Sequence, residues 1–331
     1  MCCLFGLIDP RGSLSGGEKH RIFSALARAG ESRGTDATGF ACSRHGKITI
    51  EKQPLPAHRM RFHIPGDAHI LMGHTRMTTQ GSEKKNRNNH PFSGKAADTA
   101  FALAHNGVLY NDATLRKKYQ LPQTKVETDS YIAVQLIEHQ KALNLDSLRW
   151  MAEQIRGSFA FSVLDHQDRL YLVKGSSPLH LLHFPDSGVY LYASTQAVLQ
   201  SAVTKSHLSR MRFREIYIDD GDMLMFSPDG TIQWDRFQMS HYPTNPLGIL
   251  ADCSTYGEDL QFVLDFGESI GVPREELEYL WESGFDVDEI ELAAQDRHHR
   301  MMCLLCAGYY DEMEGNENGY DPFEDLPWAE A

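Results

Sequence analysis

The first nine residues, MCCLFGLID, are the stretch from which the interpretation of the whole chain starts. Leu4–Ile8 is a short apolar run of the kind that forms a buried strand. Cys2 comes directly after the initiator methionine, so removal of Met1 would make it the N-terminal residue. Its α-amine, with a reference pKa of about 7.7 to 8.0, could then accept the proton of its own thiol. Such a cysteine carries nucleophile and general base together.

Two other interpretations of Cys2 and Cys3 stay open at this point. Both residues could be small apolar members of the first strand, which is the commoner role of a free cysteine. The pair could instead be palmitoylated and act as a reversible membrane anchor. Nothing basic or amphipathic adjoins them, which disfavours the anchor.

Length and composition indicate an ordinary globular protein. The chain has 331 residues, 41% hydrophobic and 23% charged, enough for one large domain or one domain with an appendage. No stretch approaches the roughly 18 consecutive apolar residues of a membrane helix, and the N-terminus does not resemble a secretory signal. Six unevenly placed cysteines do not form a disulfide framework and fit a reducing compartment. We therefore expect a cytoplasmic protein without a membrane partner.

Charge divides the chain into two parts. The formal net charge is -13, but residues 1–240 hold 29 Lys and Arg against 23 Asp and Glu, whereas residues 241–331 hold 3 against 22. The contrast predicts a main domain over residues 2–240 and an acidic appendage over residues 241–331. An acidic appendage is a poor ligand for nucleic acid, so we expect no nucleic-acid partner.

The pattern up to residue 240 is that of an α+β protein whose sheets can stack. Short apolar runs rich in β-branched and aromatic residues recur between turn signals. Thr128–Leu143 shows the clearest helical pattern, with an apolar face behind a Thr or Asp cap. The runs predict strands at Leu4–Ile8, Lys47–Glu51, His69–Met72, Phe101–Ala104, Ser158–Leu164, Leu170–Val173, Val189–Ala193 and Asp222–Phe226.

The appendage is predicted to be a linker followed by helices. Residues 242–256 carry two prolines and a glycine and read as a linker. Pro273 suits the first turn of a helix through Glu282, and Asp286 with Glu289 resembles a capping box that opens a helix to about Tyr310. The acidic residues from 311 onward are expected to be disordered.

Seven short motifs follow one another within residues 2–161. They read Cys-Cys-Leu-Phe-Gly at 2–6, Arg-Gly-Thr-Asp-Ala-Thr-Gly at 33–39, Gly-His-Thr-Arg-Met-Thr-Thr-Gln-Gly at 73–81, Asn-His-Pro-Phe at 89–92, His-Asn-Gly-Val at 105–108, Glu-Thr-Asp-Ser at 127–130 and Gly-Ser-Phe-Ala-Phe at 157–161. In this order they resemble the class II glutamine amidotransferases, which use an N-terminal nucleophile. The resemblance covers about residues 2–240. It implies a four-layer α/β/β/α sandwich of two mostly antiparallel sheets, followed by a small helical appendage.

The resemblance implies a catalytic role for three residues. Cys2 would attack the side-chain amide of L-glutamine and form a γ-glutamyl thioester. The side-chain amide of Asn106 and the backbone N–H of Gly107 would hold the oxyanion that this attack creates. Taken alone, the Asn-Gly dipeptide would instead be read as a hairpin turn.

Four more residues are implied in binding the substrate. Glutamine carries opposite charges at its α-carbon, so a specific site needs a cation and an anion at a fixed separation. Arg76 would clamp the α-carboxylate, a task suited to a guanidinium, and Asp129 would receive the α-ammonium. Thr79 and Gln80 would line the same pocket. Without the resemblance, Asp129 would be read as a helix N-cap and Arg76 as a surface charge.

The remaining implied residues support the site. Arg33, Gly34 and Asp36 belong to a loop beside the nucleophile, and the His90-Pro91 step resembles a turn near the pocket mouth. A lone histidine in such a place is more often structural than catalytic. No cofactor is implied. Cys3, Met77, Gln80 and Phe92 depart from the residues usual in the family or in its sugar-synthase branch, which leaves the branch open.

Two patterns are set aside. The segment Ser15-Gly16-Gly17-Glu18 faintly resembles an ATP pyrophosphatase loop, but we interpret it as a surface turn because the following Asp-Ser is missing. Cys303 and Cys306 have Cys-x-x-Cys spacing near His298 and His299, yet no second Cys pair completes a zinc site. No metal site is expected.

The expected function is that of a glutaminase domain without a fused synthetase domain. It would supply ammonia to a separate synthetase protein. Two alternatives remain: a free-standing amidase on a glutamine-like substrate, and a non-catalytic glutamine sensor or scaffold. The joint presence of Cys2, Arg76, Asn106, Gly107 and Asp129 favours the enzyme.

Overall fold

The computed structural model of the chain describes residues 2–239, 260–261, 263–268, 270–285, 287–295, 300–301, 303–304, 307 and 309. Contacts within the chain divide it into two compact units, Met1–Pro243 and Thr244–Ala331. The predicted boundary between residues 240 and 241 lies outside the described residues and stays a prediction.

The first unit contains thirteen strands and five α-helices among its described residues. The strands are β1 (Cys3–Ile8), β2 (Ala37–Arg44), β3 (Lys47–Gln53), β4 (Ile70–Arg76), β5 (Phe92–Ala96), β6 (Thr99–Leu109), β7 (Gly157–Asp165), β8 (Leu170–Lys174), β9 (His180–Phe184), β10 (Val189–Ala193), β11 (Arg214–Ile216), β12 (Asp222–Phe226) and β13 (Ile232–Arg236). The helices are α1 (Gly16–Gly30), α2 (Asp112–Lys118), α3 (Tyr131–Gln140), α4 (Leu145–Gln154) and α5 (Gln196–Thr204).

These strands form two sheets. The first has seven strands in the order β11-β9-β10-β1-β4-β2-β3, and the second has six in the order β13-β12-β8-β7-β6-β5. All described neighbours are antiparallel. Because the side chains of a strand alternate between faces, each sheet can be covered by apolar contacts on both sides.

The two faces of β1 show how the layers stack. Leu4 and Ile8 belong to a core with residues of β6, β7, β8 and β12, which lies between the sheets. Phe5 and Leu7 point the other way, into a core shared with α1 and α5. A third core joins the outer face of the second sheet to α2, α3 and α4. The predicted four-layer α/β/β/α sandwich is confirmed.

Helix α1 corrects one interpretation of the sequence. Ser15 is its N-cap, and the Ser15–Glu18 pair forms a capping box: the Ser15 hydroxyl accepts from the N–H of Glu18, and the Glu18 carboxylate accepts from the N–H of Ser15 at 2.8 Å. The predicted surface turn over Ser15–Glu18 is therefore wrong. The two glycines hid the helix start, although a Ser with a Glu three residues later is a helix-start signal.

Replacing Ser15 with alanine should destabilise the first unit. The change removes the acceptor for a helix N–H, and losses of about 1 kcal/mol are typical for such caps. Urea unfolding of the variant would measure the loss. Ser93→Ala, at an exposed position of β5, is the matched control and should leave the midpoint unchanged. Equal midpoints for Ser15→Ala and the unmodified protein would contradict the role of the cap.

The eight predicted strands each overlap a strand of the structure. The helix predicted over Thr128–Leu143 is shorter, because α3 begins at Tyr131 and ends at Gln140, where Lys141 takes a left-handed conformation with φ 54°. Its N-cap is Ser130, whose side chain makes no capping bond, so Asp129 is not the cap.

The turn between β7 and β8 contains a carboxyl group in an unfavourable place. Asp168 has φ 62°, and its buried Oδ1 has no hydrogen-bond partner among the described residues. Burial raises the pKa of Asp168 from 3.8 to about 6. The ionised carboxylate thus opposes folding, and the penalty is absent below about pH 4, grows as the pH rises towards 6, and is complete above it.

Asp168→Asn should therefore stabilise the protein at neutral pH and not at about pH 4. Asparagine tolerates the left-handed conformation, and we expect about 1 kcal/mol near pH 7.5 because partial exposure screens the charge. Urea unfolding at both pH values measures the difference. Asp186→Asn, in an exposed turn, should change neither value. A gain of the same size at both pH values would show that burial of charge is not the cause.

The second unit contains two α-helices whose bounds are described, α6 (Arg274–Glu282) and α7 (Val287–Gln295). Pro273 is the N-cap residue of α6, next to the position predicted for it. Leu277, Leu280 and Ile290 belong to a separate apolar core. Three predicted features lie outside the described residues: the linker at 242–256, the capping residue Asp286 and the tail from residue 311. Within the described part of the chain, no helix is long and apolar enough to cross a membrane.

Candidate active site

The site is built where three strands of the first sheet end together. In the antiparallel ladders, Cys3 pairs with Thr75 of β4, and Ala37 of β2 pairs with Arg76. Cys2 therefore precedes β1 at the end of the sheet where β4 finishes with Arg76. The motifs at 2–6, 33–39 and 73–81 meet here because antiparallel pairing brings the start of one strand to the end of the next.

Cys2 is partly exposed, and its thiol donates to the carbonyl oxygen of Met77 at 3.5 Å. Burial of the thiol by surrounding atoms raises the pKa of Cys2, whereas the bond to Met77 and nearby positive charges, including that of Arg76, lower it. The net effect is a raised pKa, so the Cys2 thiol is protonated at neutral pH. Attack by this sulfur consequently requires a base close to it.

The loop over residues 33–36 holds Cys2 and the end of β4. Arg33 Nε donates to the carbonyl oxygen of Cys2 at 2.8 Å, and Asp36 Oδ2 accepts from the N–H of Thr78 at 2.7 Å. A Cβ at Gly34 would overlap the backbone of Arg76 and Met77. Only glycine lets the two segments approach this closely.

Arg76 is almost fully buried, with 3% of its surface exposed. Its Nη1 donates to Asn89 Oδ1 at 2.7 Å, and its Nη2 donates to the carbonyl oxygens of Gln80 and, at 2.9 Å, Gly81. Burial lowers the pKa of Arg76, while Cys2, Asp36 and Asp129 act to raise it. Arg76 thus organises the loop after β4 and interacts electrostatically with Cys2 and Asp129.

Gln80 and Asp129 are in direct contact. Gln80 Oε1 accepts from the N–H of Asp129 at 3.0 Å, and Asp129 Oδ2 accepts from the N–H of Leu109 at 2.7 Å. Burial raises the pKa of the Asp129 carboxyl, against the hydrogen bonds that it accepts from Leu109 and Ser130. A buried carboxylate of this kind is stabilised by a cation placed beside it. Thr79 lies exposed in the same loop.

The second sheet contributes Asn106 and Gly107 near the end of β6. His74 Nε2 and the carbonyl oxygen of His105 lie 2.9 Å apart, which joins β4 to β6 one residue before Asn106. Asn106 is 2% exposed, and among the described residues its side-chain amide has no hydrogen-bond partner. Gly107 has φ 138°, and a Cβ there would overlap the carbonyl oxygen of Ser158. This position requires glycine, and the pair lies within an antiparallel ladder, not in a hairpin turn.

Three histidines lie behind the site. The rings of His74 and His90 are 4.2 Å apart, and those of His90 and His105 are 6.4 Å apart. Burial lowers the pKa of His74 and of His105 to about 3, and that of His90 well below its usual value. Neither ring nitrogen of His90 has a partner in the described structure. These rings are neutral, which favours a structural role for His90.

Two contacts of the site were not predicted from the sequence. Asn89 accepts a hydrogen bond from Arg76. The only indication of this role in the sequence was its position next to His90 in a quoted motif. Lys52 of β3 donates to the carbonyl oxygens of Asn89 at 2.6 Å and Pro91 at 2.9 Å, and burial lowers its pKa to about 8. In the described residues, no group of three or more His, Cys, Asp or Glu side chains is arranged to hold a metal ion.

Comparison with known proteins agrees with this geometry. Residues 74–201 match the family described as glutamine amidotransferase domain. The glutamine–fructose-6-phosphate aminotransferase (isomerizing) of Bacillus licheniformis is 29% identical over 61% of this chain and 34% of its own length. The enzyme of the same name from Chlamydia muridarum is 28% identical over 60% and 33%. The chain thus spans about a third of the length of the curated relatives it matches.

A solved structure shares the fold. The glutamine phosphoribosylpyrophosphate amidotransferase of B. subtilis, complexed with ADP and GMP, superposes with a TM-score of 0.56 at 20% identity over 72% of this chain and 50% of its own. The chain therefore shares its fold with this amidotransferase. Residues 74–201 thus belong to a glutamine amidotransferase domain, and the chain is similar to class II glutamine amidotransferases in sequence and fold.

Proposed function

We propose that this chain is a glutaminase that releases ammonia from L-glutamine through Cys2 and passes it to a separate synthetase. Removal of Met1 would expose the α-amine of Cys2, which takes the proton of the thiol. The raised pKa of the thiol makes such a base necessary.

The reaction would proceed in two steps. The Cys2 sulfur bonds to the amide carbon of glutamine, and the resulting oxyanion is held by the Asn106 amide and the Gly107 N–H. When the C–N bond breaks, the α-ammonium returns its proton to the leaving nitrogen, which departs as ammonia. Water then hydrolyses the γ-glutamyl thioester, giving glutamate and the free thiol.

Arg76 and Asp129 would recognise the charges at the substrate α-carbon. Asp129 is a buried carboxylate whose raised pKa an α-ammonium would offset. Arg76 would bind the α-carboxylate, while Thr79 and Gln80 line the pocket. Because the guanidinium donates to the loop at Gln80 and Gly81, we expect this loop to move when glutamine enters. Arg33, Gly34, Asp36 and His90 would hold the surrounding backbone.

One observation carries the proposal: residues distant in sequence meet at one end of the sheet. Cys2 Sγ donates to the carbonyl oxygen of Met77, next to Arg76, and Gln80 accepts hydrogen bonds from both the Arg76 guanidinium and the N–H of Asp129. A scaffold would not need a nucleophile, a cation and a buried anion at one end of a sheet. Asn106 adds an amide without a partner among the described residues.

The test is intact mass before and after incubation with 6-diazo-5-oxo-norleucine, a glutamine mimic that alkylates the nucleophile. We expect loss of Met1 and a single adduct that is absent in Cys2→Ala. Cys42→Ala is the matched control, since Cys42 is fully buried in β2 and should not alter labelling. Retention of Met1 without an adduct would refute the enzyme and leave a sensor or scaffold.

The ammonia acceptor is proposed from the family. Glutamine amidotransferases couple glutamine hydrolysis to a synthetase, and this chain matches only about a third of its curated relatives. Affinity capture with Cys2→Ala in the presence of glutamine should retain a synthetase, and adding that protein should raise glutamine turnover. Full turnover without any effect of a captured protein would favour a free-standing amidase.

A further inference from the structure

A concave site in the first unit shares no lining residue with the residues assigned to the reaction. It is a groove of about 460 Å³ between α1 and residues 57–63, and we name it the α1 groove. The buried side chains of Ala57, Met60 and Phe62 contribute apolar lining. The volume is within the roughly 300–1,000 Å³ of small-molecule sites.

The rim of the α1 groove is cationic. Arg28 comes from the last turn of α1, and Arg59 and Arg61 come from the facing segment; all three are exposed. In the described part of the chain, none of them forms an ion pair. Among the described residues, no lysine and no acidic residue lines the groove.

Two carboxylates that contact lining residues of the groove pair with histidines and not with these arginines. Glu31 pairs with His58 at 3.0 Å, and Glu51 pairs with His63 at 2.9 Å, so each is directed at a rim histidine. Residues 1–240 hold 29 Lys and Arg against 23 Asp and Glu, whereas the described lining of this groove holds three arginines and no carboxylate. Their mutual repulsion would be relieved by a bound anion.

We infer that the α1 groove binds a small phosphorylated metabolite. A planar guanidinium matches two phosphate oxygens at once, which explains arginine in place of lysine on the rim. The apolar lining suits a ring or base attached to the phosphate. A long polyanion such as nucleic acid fits less well, because the cationic rim is confined to one groove.

The experiment is calorimetric titration of the full chain with pyrophosphate and with AMP at low salt. Both should bind saturably with one site per chain. Arg59→Gln/Arg61→Gln should weaken binding at least about tenfold, corresponding to about 1.4 kcal/mol. Both residues are exposed, so the variant should fold, and its thermal midpoint verifies this.

A matched control removes two positive charges from the opposite side of the sandwich. Lys95→Gln/Lys117→Gln alters exposed residues of β5 and α2, which belong to the layers of the second sheet, and should leave binding unchanged. Repeating the titration with Cys2→Ala separates this site from the glutaminase reaction. Absence of saturable binding, an equal loss in both double variants, or tighter binding of a polyglutamate peptide than of either probe would overturn the inference.

Discussion

Asn106→Ala is expected to reduce the kcat of glutamine hydrolysis by about 10² to 10³ while KM and stability change little. The side-chain amide of Asn106 has no partner among the described residues, so its removal leaves no broken hydrogen bond in the free enzyme. The loss would appear only when negative charge develops on the substrate oxygen. Steady-state glutaminase kinetics with a parallel thermal unfolding curve measure both effects.

Asn144→Ala is a control with the opposite expected result, a loss of stability without a loss of kcat. Asn144 caps α4 and accepts from the N–H of Ser147 at 2.8 Å, so its loss should cost about 1 kcal/mol of stability and leave kcat unchanged. If Asn106→Ala raised KM alone, the residue would bind the ground state of the substrate, and the oxyanion role would be wrong.

The fold could be predicted from the sequence because most strands bury both faces. Val189–Ala193 and Asp222–Phe226 are continuous buried strands, and the structure gives them their predicted bounds. Three of the five missed strands carry weaker signals. β2 contains small residues and Gly39, β11 has three residues, and β13 is largely exposed, so pairing with neighbours defines them more than their own composition.

The candidate site was predicted less completely. The quoted motifs name side chains that the structure places together, such as Cys2, Arg76 and Asp129. Lys52 stands outside every motif and reaches the site only because β3 pairs with β2. Contacts that depend on sheet order are not visible in local spacing. The hydrogen bond between Gln80 and the backbone of Asp129 is a second contact of this kind.

Gly107→Ala should have the larger combined effect, lowering both stability and kcat. The residue has φ 138°, which costs on the order of 1–3 kcal/mol for a residue with a side chain. A Cβ would also overlap the Ser158 carbonyl oxygen, so β6 must move away from β7. That movement shifts the Gly107 N–H, and we expect kcat to fall by about 10³ or more.

Gly17→Ala is the control for Gly107→Ala, because Gly17 has a helical backbone conformation that alanine can adopt. Gly17 lies in the first turn of α1, and nothing lies within 4 Å of a Cβ built there. Alanine at this position should stabilise the protein by about 0.5–1 kcal/mol and leave kcat unaffected. If the geometry at Gly107 is correct, urea unfolding gives stability changes of opposite sign for the two variants, and glutaminase kinetics show a loss of turnover for Gly107→Ala alone. Normal turnover by Gly107→Ala would show that its N–H does not contribute to the oxyanion site, because the added Cβ cannot fit without displacing that N–H.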